Sequence, residues 1–597
     1  MKQLIPINWD VSNLYNGGRQ TNDLKLFINK VTKQLDELTY QISCVSSLTE
    51  TNFLSAFIEE IQYIMKASLE IDDFIICLES EHGTDSYLSQ LMSESSVIKK
   101  NLDTTLTLFG QKLANISQQD WNLLLQNESI KPHTFYLNEK RNIAKSYLPL
   151  PEEKIINTLS VNGFIAWEDY YEQLFDKLSF EIEEDGNNQT LSVGQLSHLS
   201  IMSEDREKRK KYANLLKDTL VELAPSAATI FNHLSGFRLD VYKLRGWDNQ
   251  LKEMLDQNRI QHETVAVMME VIKKERQIFQ RFFERKAKLS NLKKLAWYDL
   301  YNSHFTSYDS ISYEDAATLV TSQFNQFSKK MGSFADKAFH EGWIEAENRP
   351  NKRPGAFCAS MPLSKESRIF LTYMGSYLDI VTIAHELGHG YHNSIIQEEP
   401  AFAQTYGTSV AETASTFSEN LVVDSAIQNA TDLSQKLSIL EMKILRAFNY
   451  LGNIPIMFEF EQQLYQERLH RKVSEKEMTA LLQNLEQELY KDIVDDLNPY
   501  VWVAQGHFFS TERAFYSIPY TIGYLFSNGI YALSKQLGSD FPSIYDEILR
   551  NSGKMTVEDL GKTYLNKDIK HEDFWYQGIH PVKESINQFI KLTDHLV

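Results

Sequence analysis

The sequence contains few residues that interrupt helices. It has 24 glycines and 14 prolines among 597 residues, roughly half of the ~12% that these two residues reach in average proteins. Leucine, glutamate, lysine and glutamine, which favour helices, are abundant. We therefore expect a mainly α-helical protein. A chain of this length exceeds one hydrophobic core, so two or more packed units are expected.

Cysteines and long apolar runs are also scarce. The three cysteines, Cys44, Cys77 and Cys358, show no C-x-x-C spacing, which excludes a disulfide framework and a cysteine metal cluster. We interpret them as reduced core thiols. The start "MKQLIPINWDVSNLYNG" lacks the apolar stretch of a secretion signal, and no window approaches ~18 consecutive apolar residues. We therefore expect a cytoplasmic protein with no membrane partner.

An excess of basic residues is missing as well. The chain has 60 Lys and Arg against 80 Asp and Glu, a formal net charge of −20, and no basic block. Nucleic-acid binding favours the opposite sign, so no nucleic-acid partner is expected. The oligomeric state is not readable from the sequence.

The first part of the chain is helical in texture, with apolar residues at the helical period from about 20 to 130. The texture changes at "LSFEIEEDGNNQTLSVG", where two extended runs flank the turn residues Asp185 to Asn188, which predicts a β-hairpin. A new helix is expected after Ser203, a suitable N-cap. We place a domain boundary near 195, which gives an N-terminal helical domain, 1–195, and a second domain, 196–597.

An extended run follows a break near residue 350. Residues Arg368 to Tyr373 are rich in β-branched and aromatic side chains and predict an edge strand. This strand leads into "LDIVTIAHELGHGYHNSII", which predicts a helix with Asp379 as its N-cap.

That helix carries the pattern H-E-x-x-H. His385 and His389 lie one turn apart on one helical face, so both imidazoles can bind one metal ion. Glu386 is rotated to the side, where it can take a proton from a metal-bound water whose pKa the ion lowers towards ~7. The pattern therefore predicts a catalytic zinc site with Glu386 as the general base.

A catalytic zinc needs a third protein ligand. The next predicted helix, "YGTSVAETASTFSENLVVDSAI", offers Glu412 among small residues where helices can approach closely. Glu419 lies two turns later on the same face and is suited to orient an imidazole. His392, three positions after His389, is expected to support the site or face the substrate rather than to bind the metal.

The two motifs together resemble a known family. "TIAHELGHGYH" followed by "GTSVAETASTFSEN" resembles the zinc oligopeptidases that include oligoendopeptidase F and thimet oligopeptidase. Their pattern is H-E-x-G-H-x-x-H with a glutamate ligand about one helix later. "RPGAFC", "LAWYDLY" and "HFFSTERAFYSIPYTIGYLFS" are also similar to oligoendopeptidase F. The resemblance covers nearly the whole chain and is strongest from about 350 to 530.

The resemblance implies a two-lobed α-helical zincin with a deep substrate channel. It also implies one zinc per chain and endopeptidase action on short unfolded oligopeptides, the expected partners. Peptide hydrolysis passes through an oxyanion that hydroxyl or imidazole groups can stabilise. In the family, a histidine and tyrosines of a carboxyl-terminal segment do this. In this chain the segment supplies His507 and Tyr520 as first candidates, then Tyr516. Tyr524 follows at the same four-residue spacing and is expected to support the site or face the substrate.

Two other functions remain open at this point. A helical zinc carboxypeptidase would use a basic residue to hold the free carboxylate of the substrate, and Arg353, Arg368 and Arg513 are available. A non-catalytic peptide-binding scaffold is the other alternative, although Glu386 is not needed for binding alone. Cobalt or manganese would also suit the donor set.

Overall fold

The computed structural model describes residues 5–15, 22–83, 85–184, 187–305, 310–350, 352–353 and 355–597. Two compact units are present. The first unit comprises Met1–Tyr147, Tyr308–Ser425 and Leu533–Lys567. The second unit comprises Leu148–Ser307, Ala426–Ala532 and Asp568–Val597. Each unit is thus assembled from three separate stretches of the chain. The boundary near residue 195 instead divides the chain into two continuous domains, and it stays a prediction.

Helices dominate the described residues, as the composition predicts. The first twelve are Asp23–Cys44 (α1), Thr51–His82 (α2), Ser86–Ala114 (α3), Gln118–Leu124 (α4), Thr134–Lys145 (α5), Leu150–Ser160 (α6), Ala166–Asp176 (α7), Val193–Met202 (α8), Arg206–Leu244 (α9), Lys252–Asn258 (α10), His262–Glu275 (α11) and Ile278–Leu289 (α12). The others are Tyr313–Phe327 (α13), Lys329–His340 (α14), Tyr377–Ile396 (α15), Thr408–Asn429 (α16), Leu433–Phe448 (α17), Ile454–Arg468 (α18), Glu475–Tyr490 (α19), Ile518–Leu537 (α20), Phe541–Asn551 (α21), Val557–Leu565 (α22) and Glu572–Leu592 (α23).

The strands are short. They are Ser179–Glu184 (β1), Asn187–Ser192 (β2), Leu295–Ala296 (β3), Ile344–Glu345 (β4), Phe357–Met361 (β5), Glu366–Phe370 (β6) and Val494–Asp496 (β7). The β1–β2 hairpin confirms the prediction, with pairing from Ser179↔Ser192 to Glu184↔Asn187. Of the predicted turn, Asp185 and Gly186 lie outside the described residues.

The first unit is built on amphipathic helices. In α1 the buried residues recur every three or four positions: Leu24, Ile28, Val31, Leu35, Leu38 and Ile42. This stripe packs into one core with the apolar faces of α2 and α3. Two strands of the small sheet contribute to the same core through Met361 and Phe370, so the sheet is fixed against the helices.

The strand that precedes the histidine helix is not an edge strand. The sheet order is β4-β6-β5, so β6 is the middle strand and pairs with β4 in parallel and with β5 antiparallel. The predicted run Arg368 to Tyr373 is shifted, because the strand covers Glu366–Phe370. The prediction could not include β4, a two-residue strand too short to give a sequence pattern.

Two predicted N-caps are also shifted. Ser376, not Asp379, caps α15: the Ser376 hydroxyl accepts from the Asp379 N–H, and the Asp379 carboxylate accepts from the Ser376 N–H. This capping box satisfies backbone donors of the first turn. Ser203 ends α8, and Asp205 caps α9 by accepting from Glu207 and Lys208 backbone N–H groups.

Helices α15 and α16 approach each other closely at Gly388. A Cβ atom placed on Gly388 would overlap the Ala414 carbonyl oxygen and lie 2.6 Å from the Ser418 hydroxyl oxygen. Only glycine fits such a contact between a helix backbone and its neighbour. The glycine of the H-E-x-G-H pattern is therefore required for packing.

No helix among the described residues is long and apolar enough to cross a membrane.

We expect Gly388→Ala to lower the thermal unfolding midpoint, because the added methyl group forces α15 and α16 apart at a cost of at least ~2 kcal/mol. Gly163→Ala is the control: its added Cβ meets no atom within 4 Å, and alanine favours helical backbone. An unchanged midpoint for Gly388→Ala would contradict the close approach.

Candidate metal centre

Three side chains of α15 gather their donor atoms in the first unit. One ligand atom from each of His385, Glu386 and His389 lies within 4.8 Å of the others. The two imidazole rings, one helical turn apart, have centroids 4.9 Å apart and planes at 84°. Edge-to-face rings at this separation can present one nitrogen each to a common point. These three residues could hold a metal ion.

Helix α16 places Glu412 next to the imidazole of His385. Its carboxylate Oε2 lies 3.6 Å from His385 Nε2 and accepts a 3.1 Å hydrogen bond from the Ser415 hydroxyl. The predicted helix and the position of Glu412 on it are confirmed. A carboxylate this close to Nε2 is suited to share an ion with His385.

The other nitrogen of His385 is bonded to Glu419. Glu419 Oε1 lies 2.6 Å from His385 Nδ1, and both residues are largely buried. This bond places the proton on Nδ1 and leaves Nε2 for a metal, the arrangement in which a carboxylate orients a ligating histidine. Burial, the largest single influence, disfavours the charged imidazole, but the Glu419 bond and the negative charges of Glu419, Glu386 and Glu412 together outweigh it and raise the pKa of His385 to about 9. A metal ion therefore has to displace a proton from His385.

Glu386 is also on α15 and lies beside the two histidines. The side chain is buried, and burial raises the pKa of Glu386 to about 7, although the nearby His385 lowers it. A carboxylate whose pKa lies near neutrality can both accept and return a proton. This property suits a general base.

His392 is bonded to residues at the end of α21. Its Nε2 lies 2.9 Å from the Ser552 hydroxyl and 3.3 Å from the Leu549 carbonyl oxygen of α21. Its ring stacks on Tyr406 with centroids 4.3 Å apart. Burial lowers the pKa of His392 to about 4, so the residue is a neutral contact between α15 and α21.

A cavity of about 580 Å³ in the first unit is lined by His385, Glu386, His389 and Glu412. Its wall includes Phe334, Trp343, Cys358 and Tyr406. The sequence indicated no role for this wall, because the tyrosine follows no recognised spacing and the cysteine was interpreted as a core thiol. Cys358 does lie against α15, since a Cβ on Gly390 would be 3.7 Å from its sulfur.

The carboxyl-terminal candidates lie in the second unit, where three of them cluster. The His507 ring is 4.7 Å from Tyr516, nearly perpendicular, and 6.0 Å from Tyr520. Gln505 Nε2 lies 2.8 Å from His507 Nδ1. Tyr516 does not share a helix with Tyr520, because α20 begins at Ile518 and has Pro519 in its first turn.

Tyr524 packs against a tyrosine outside this cluster. It is buried and stacks on Tyr450, with ring centroids 4.5 Å apart. Tyr524 follows Tyr520 by one turn of α20, and its ring packs between this helix and the segment after α17.

The three arginines considered for a carboxypeptidase differ in availability. Arg368 is fully buried and donates to the Asp10 carbonyl oxygen and to Asn13 Oδ1. Its guanidinium is therefore occupied by the protein. Arg353 and Arg513 are exposed.

Comparison with known proteins agrees with this geometry. The sequence model of peptidase family M3 matches residues 199–577, more than half of the chain. The chain belongs to peptidase family M3. A second model, for the oligopeptidase F family, matches residues 112–180.

Several M3 relatives are similar over much of the chain. The chromosomal oligoendopeptidase F of Lactococcus lactis subsp. cremoris is 22% identical over 436 residues, 71% of this chain and 70% of that protein. The oligoendopeptidase F homolog of Lactococcus lactis subsp. lactis is 24% identical over 286 residues, which span only 47% of each protein.

Solved structures show the same fold. Oligoendopeptidase-F from Enterococcus faecium superposes with a TM-score of 0.72, covering 96% of this chain and 99% of that chain at 15% identity. PZ peptidase A with an inhibitor gives a TM-score of 0.71 at 16% identity, covering 94% and 97%. The predicted mainly α-helical fold is confirmed.

We expect Glu412→Ala to deplete metal from the purified M3 protein, because the two imidazoles would lose their carboxylate partner on α16. Metal analysis by mass spectrometry measures the stoichiometry. Glu37→Ala, at an exposed position of α1, is the control and should keep the wild-type content. Full metal retention by Glu412→Ala would remove Glu412 from the ligand set.

Proposed function

We propose that this M3 protein is a zinc-dependent endopeptidase that cleaves internal bonds of short, unfolded oligopeptides. The observation that carries the proposal is the donor group itself: His385, Glu386 and His389 with ligand atoms within 4.8 Å. The names of the relatives, which include oligoendopeptidases and an oligopeptidase, support oligopeptides as the substrates.

The donor set fits zinc. His385, His389 and Glu412 would hold one ion per chain through two imidazole nitrogens and one carboxylate, a set typical of catalytic zinc. Cobalt and manganese would also suit these donors. When bound, the ion supplies Lewis-acid activation of water and of the peptide carbonyl group.

Glu386 would move the proton. As a buried carboxylate with a pKa of about 7, it takes a proton from the attacking water and passes it to the leaving amine. Glu419 would hold His385 in one tautomer throughout, by the 2.6 Å contact with Nδ1. We propose that His392 of α15 supports the site by stacking on Tyr406, which lines the cavity.

Hydrogen-bond donors for the oxyanion would come from the carboxyl-terminal segment. We assign this role to His507 and Tyr520, with Tyr516 next, because these three side chains cluster and are partly exposed. Burial lowers the pKa of His507, so its ring stays neutral at pH 7. Tyr524 is assigned a supporting role in the packing of α20.

One feature bears on the cellular location of the protein, and another bears on the carboxypeptidase alternative. All three cysteines are unpaired, which supports a cytoplasmic location. Arg368 is occupied by the protein, which leaves the carboxypeptidase alternative without one of its three candidate residues.

An internally quenched peptide blocked at both ends tests the proposal. The wild-type protein should cleave this peptide, and cleavage should stop after the metal is removed by a chelator. Glu386→Gln keeps the size of the side chain and should keep zinc, yet lose at least ~100-fold in rate through loss of general-base catalysis.

Two results would contradict this account. Turnover of unblocked peptides only, from their carboxyl ends, would indicate a carboxypeptidase. A zinc-replete Glu386→Gln protein with substantial activity would mean that another group activates the water.

We expect Tyr520→Phe to lower kcat by ~10²-fold or more with little change in KM, because a donor to the oxyanion acts mainly in the transition state. Steady-state kinetics of Tyr516→Phe and Tyr524→Phe provide the comparison within one segment. A normal kcat in Tyr520→Phe with a large loss in one neighbour would move the role to that neighbour. Normal kcat values in all three tyrosine variants would leave His507 as the remaining candidate for stabilising the oxyanion.

A further inference from the structure

Residues 505–517, here called the His507 segment, carry His507 and Tyr516 between two helices of the second unit. The segment has little regular structure beyond a short 3-10 turn at Gly506–Phe509. A segment of this kind needs other contacts to hold its side chains in one arrangement. The surrounding helices provide them through three ionisable side chains.

Arg238 of α9 is the first of these side chains. It is buried, and its Nη2 donates to the carbonyl oxygens of Ser510 and Thr511 at 3.1 and 3.0 Å. Its Nη1 donates to the Tyr465 hydroxyl at 3.1 Å, and its Nε lies 3.4 Å from Glu253. With several nitrogen atoms engaged, the planar guanidinium has little freedom to rotate, and two consecutive carbonyl groups of the segment are fixed.

Glu168 of α7 bonds to the same residue, Thr511. Its Oε2 accepts from the Thr511 backbone N–H at 2.9 Å and from the Thr511 hydroxyl. Thr511 is therefore held by its N–H, its hydroxyl and its carbonyl group. Charged acceptors and donors make such bonds stronger than neutral pairs.

Glu461 of α18 holds the far end. Its Oε1 accepts from the Phe515 N–H at 3.3 Å. Phe515 is fully buried and has a φ of 52°, a left-handed backbone that is unfavourable for an aromatic residue. The next residue, Tyr516, has its ring 4.7 Å from that of His507.

We propose that Glu168, Arg238 and Glu461 are positioning residues, which fix the path of the His507 segment and thereby the mutual placement of His507 and Tyr516 for catalysis. The proposal rests on the proposed function, since it assigns these two rings to the reaction. It adds residues of three helices, up to 343 positions away in sequence from their partners, that no motif of the sequence singles out.

Glu168→Ala is the most direct test, because Glu168 is only half-buried and its loss leaves the Arg238 contacts in place. We expect kcat for the blocked peptide to fall ~10-fold or more, with KM, zinc content and the unfolding midpoint little changed. Glu168→Gln retains an acceptor for Thr511 and should recover most of kcat. Glu172→Ala, one turn later on the exposed face of α7, is the matched control and should match the wild type.

A double-mutant cycle separates positioning from a general structural role. If Glu168 acts through His507, then Glu168→Ala should lower kcat in the wild-type background but cause little further loss in His507→Ala. Equal fold losses in both backgrounds would overturn the proposal. So would a normal kcat in Glu168→Ala or in His507→Ala, or equal impairment of the Ala and Gln variants.

The proposed function can be disproved independently of this inference. Its own test is zinc-dependent cleavage and the loss in Glu386→Gln, neither of which involves the His507 segment.

Discussion

The close approach of α15 and α16 at Gly388 is the constraint on which the donor group depends. Without a side chain at this position, α15 lies directly against the α16 backbone at Ala414. Glu412 and Glu419, two turns apart on α16, then reach opposite nitrogens of one ring, with 3.6 Å to His385 Nε2 and 2.6 Å to His385 Nδ1. A wider spacing would break both contacts.

The same packing confines several ionisable groups in a small space. Glu386 and Glu419 are buried, and burying carboxylates costs free energy unless a positive charge compensates them. Burial holds the pKa of His389 well below its usual value, so that ring supplies a neutral nitrogen rather than a charge. A divalent cation would offset the carboxylates and use that nitrogen, which is the physical basis for expecting a metal here.

The sequence predicted the parts of the structure that depend on local patterns. The helix of H-E-x-G-H, the helix of Glu412 and the β1–β2 hairpin are local, and they are confirmed. The middle position of β6 and the Ser376 cap were missed, because one depends on a two-residue partner strand and the other on competition between two polar residues three positions apart. The regular spacing of Tyr516, Tyr520 and Tyr524 does not correspond to one helix, because α20 begins two residues after Tyr516.

Long-range contacts set the limit of the sequence interpretation. Glu168 and Thr511 are 343 residues apart, and no spacing in the chain indicates that they meet. Membership of the M3 family and the solved structures establish the fold. The roles of individual side chains at the metal centre and in the His507 segment are proposals, and they are argued from distances and contacts.

Zinc K-edge X-ray absorption of the purified protein tests the central claim, that His385, His389 and Glu412 hold one zinc ion. The account predicts one zinc per chain bound by nitrogen and oxygen donors at ~2.0–2.2 Å, with two imidazole ligands. A sulfur ligand at ~2.3 Å, which Cys358 in the cavity wall could supply, or a single imidazole would contradict it.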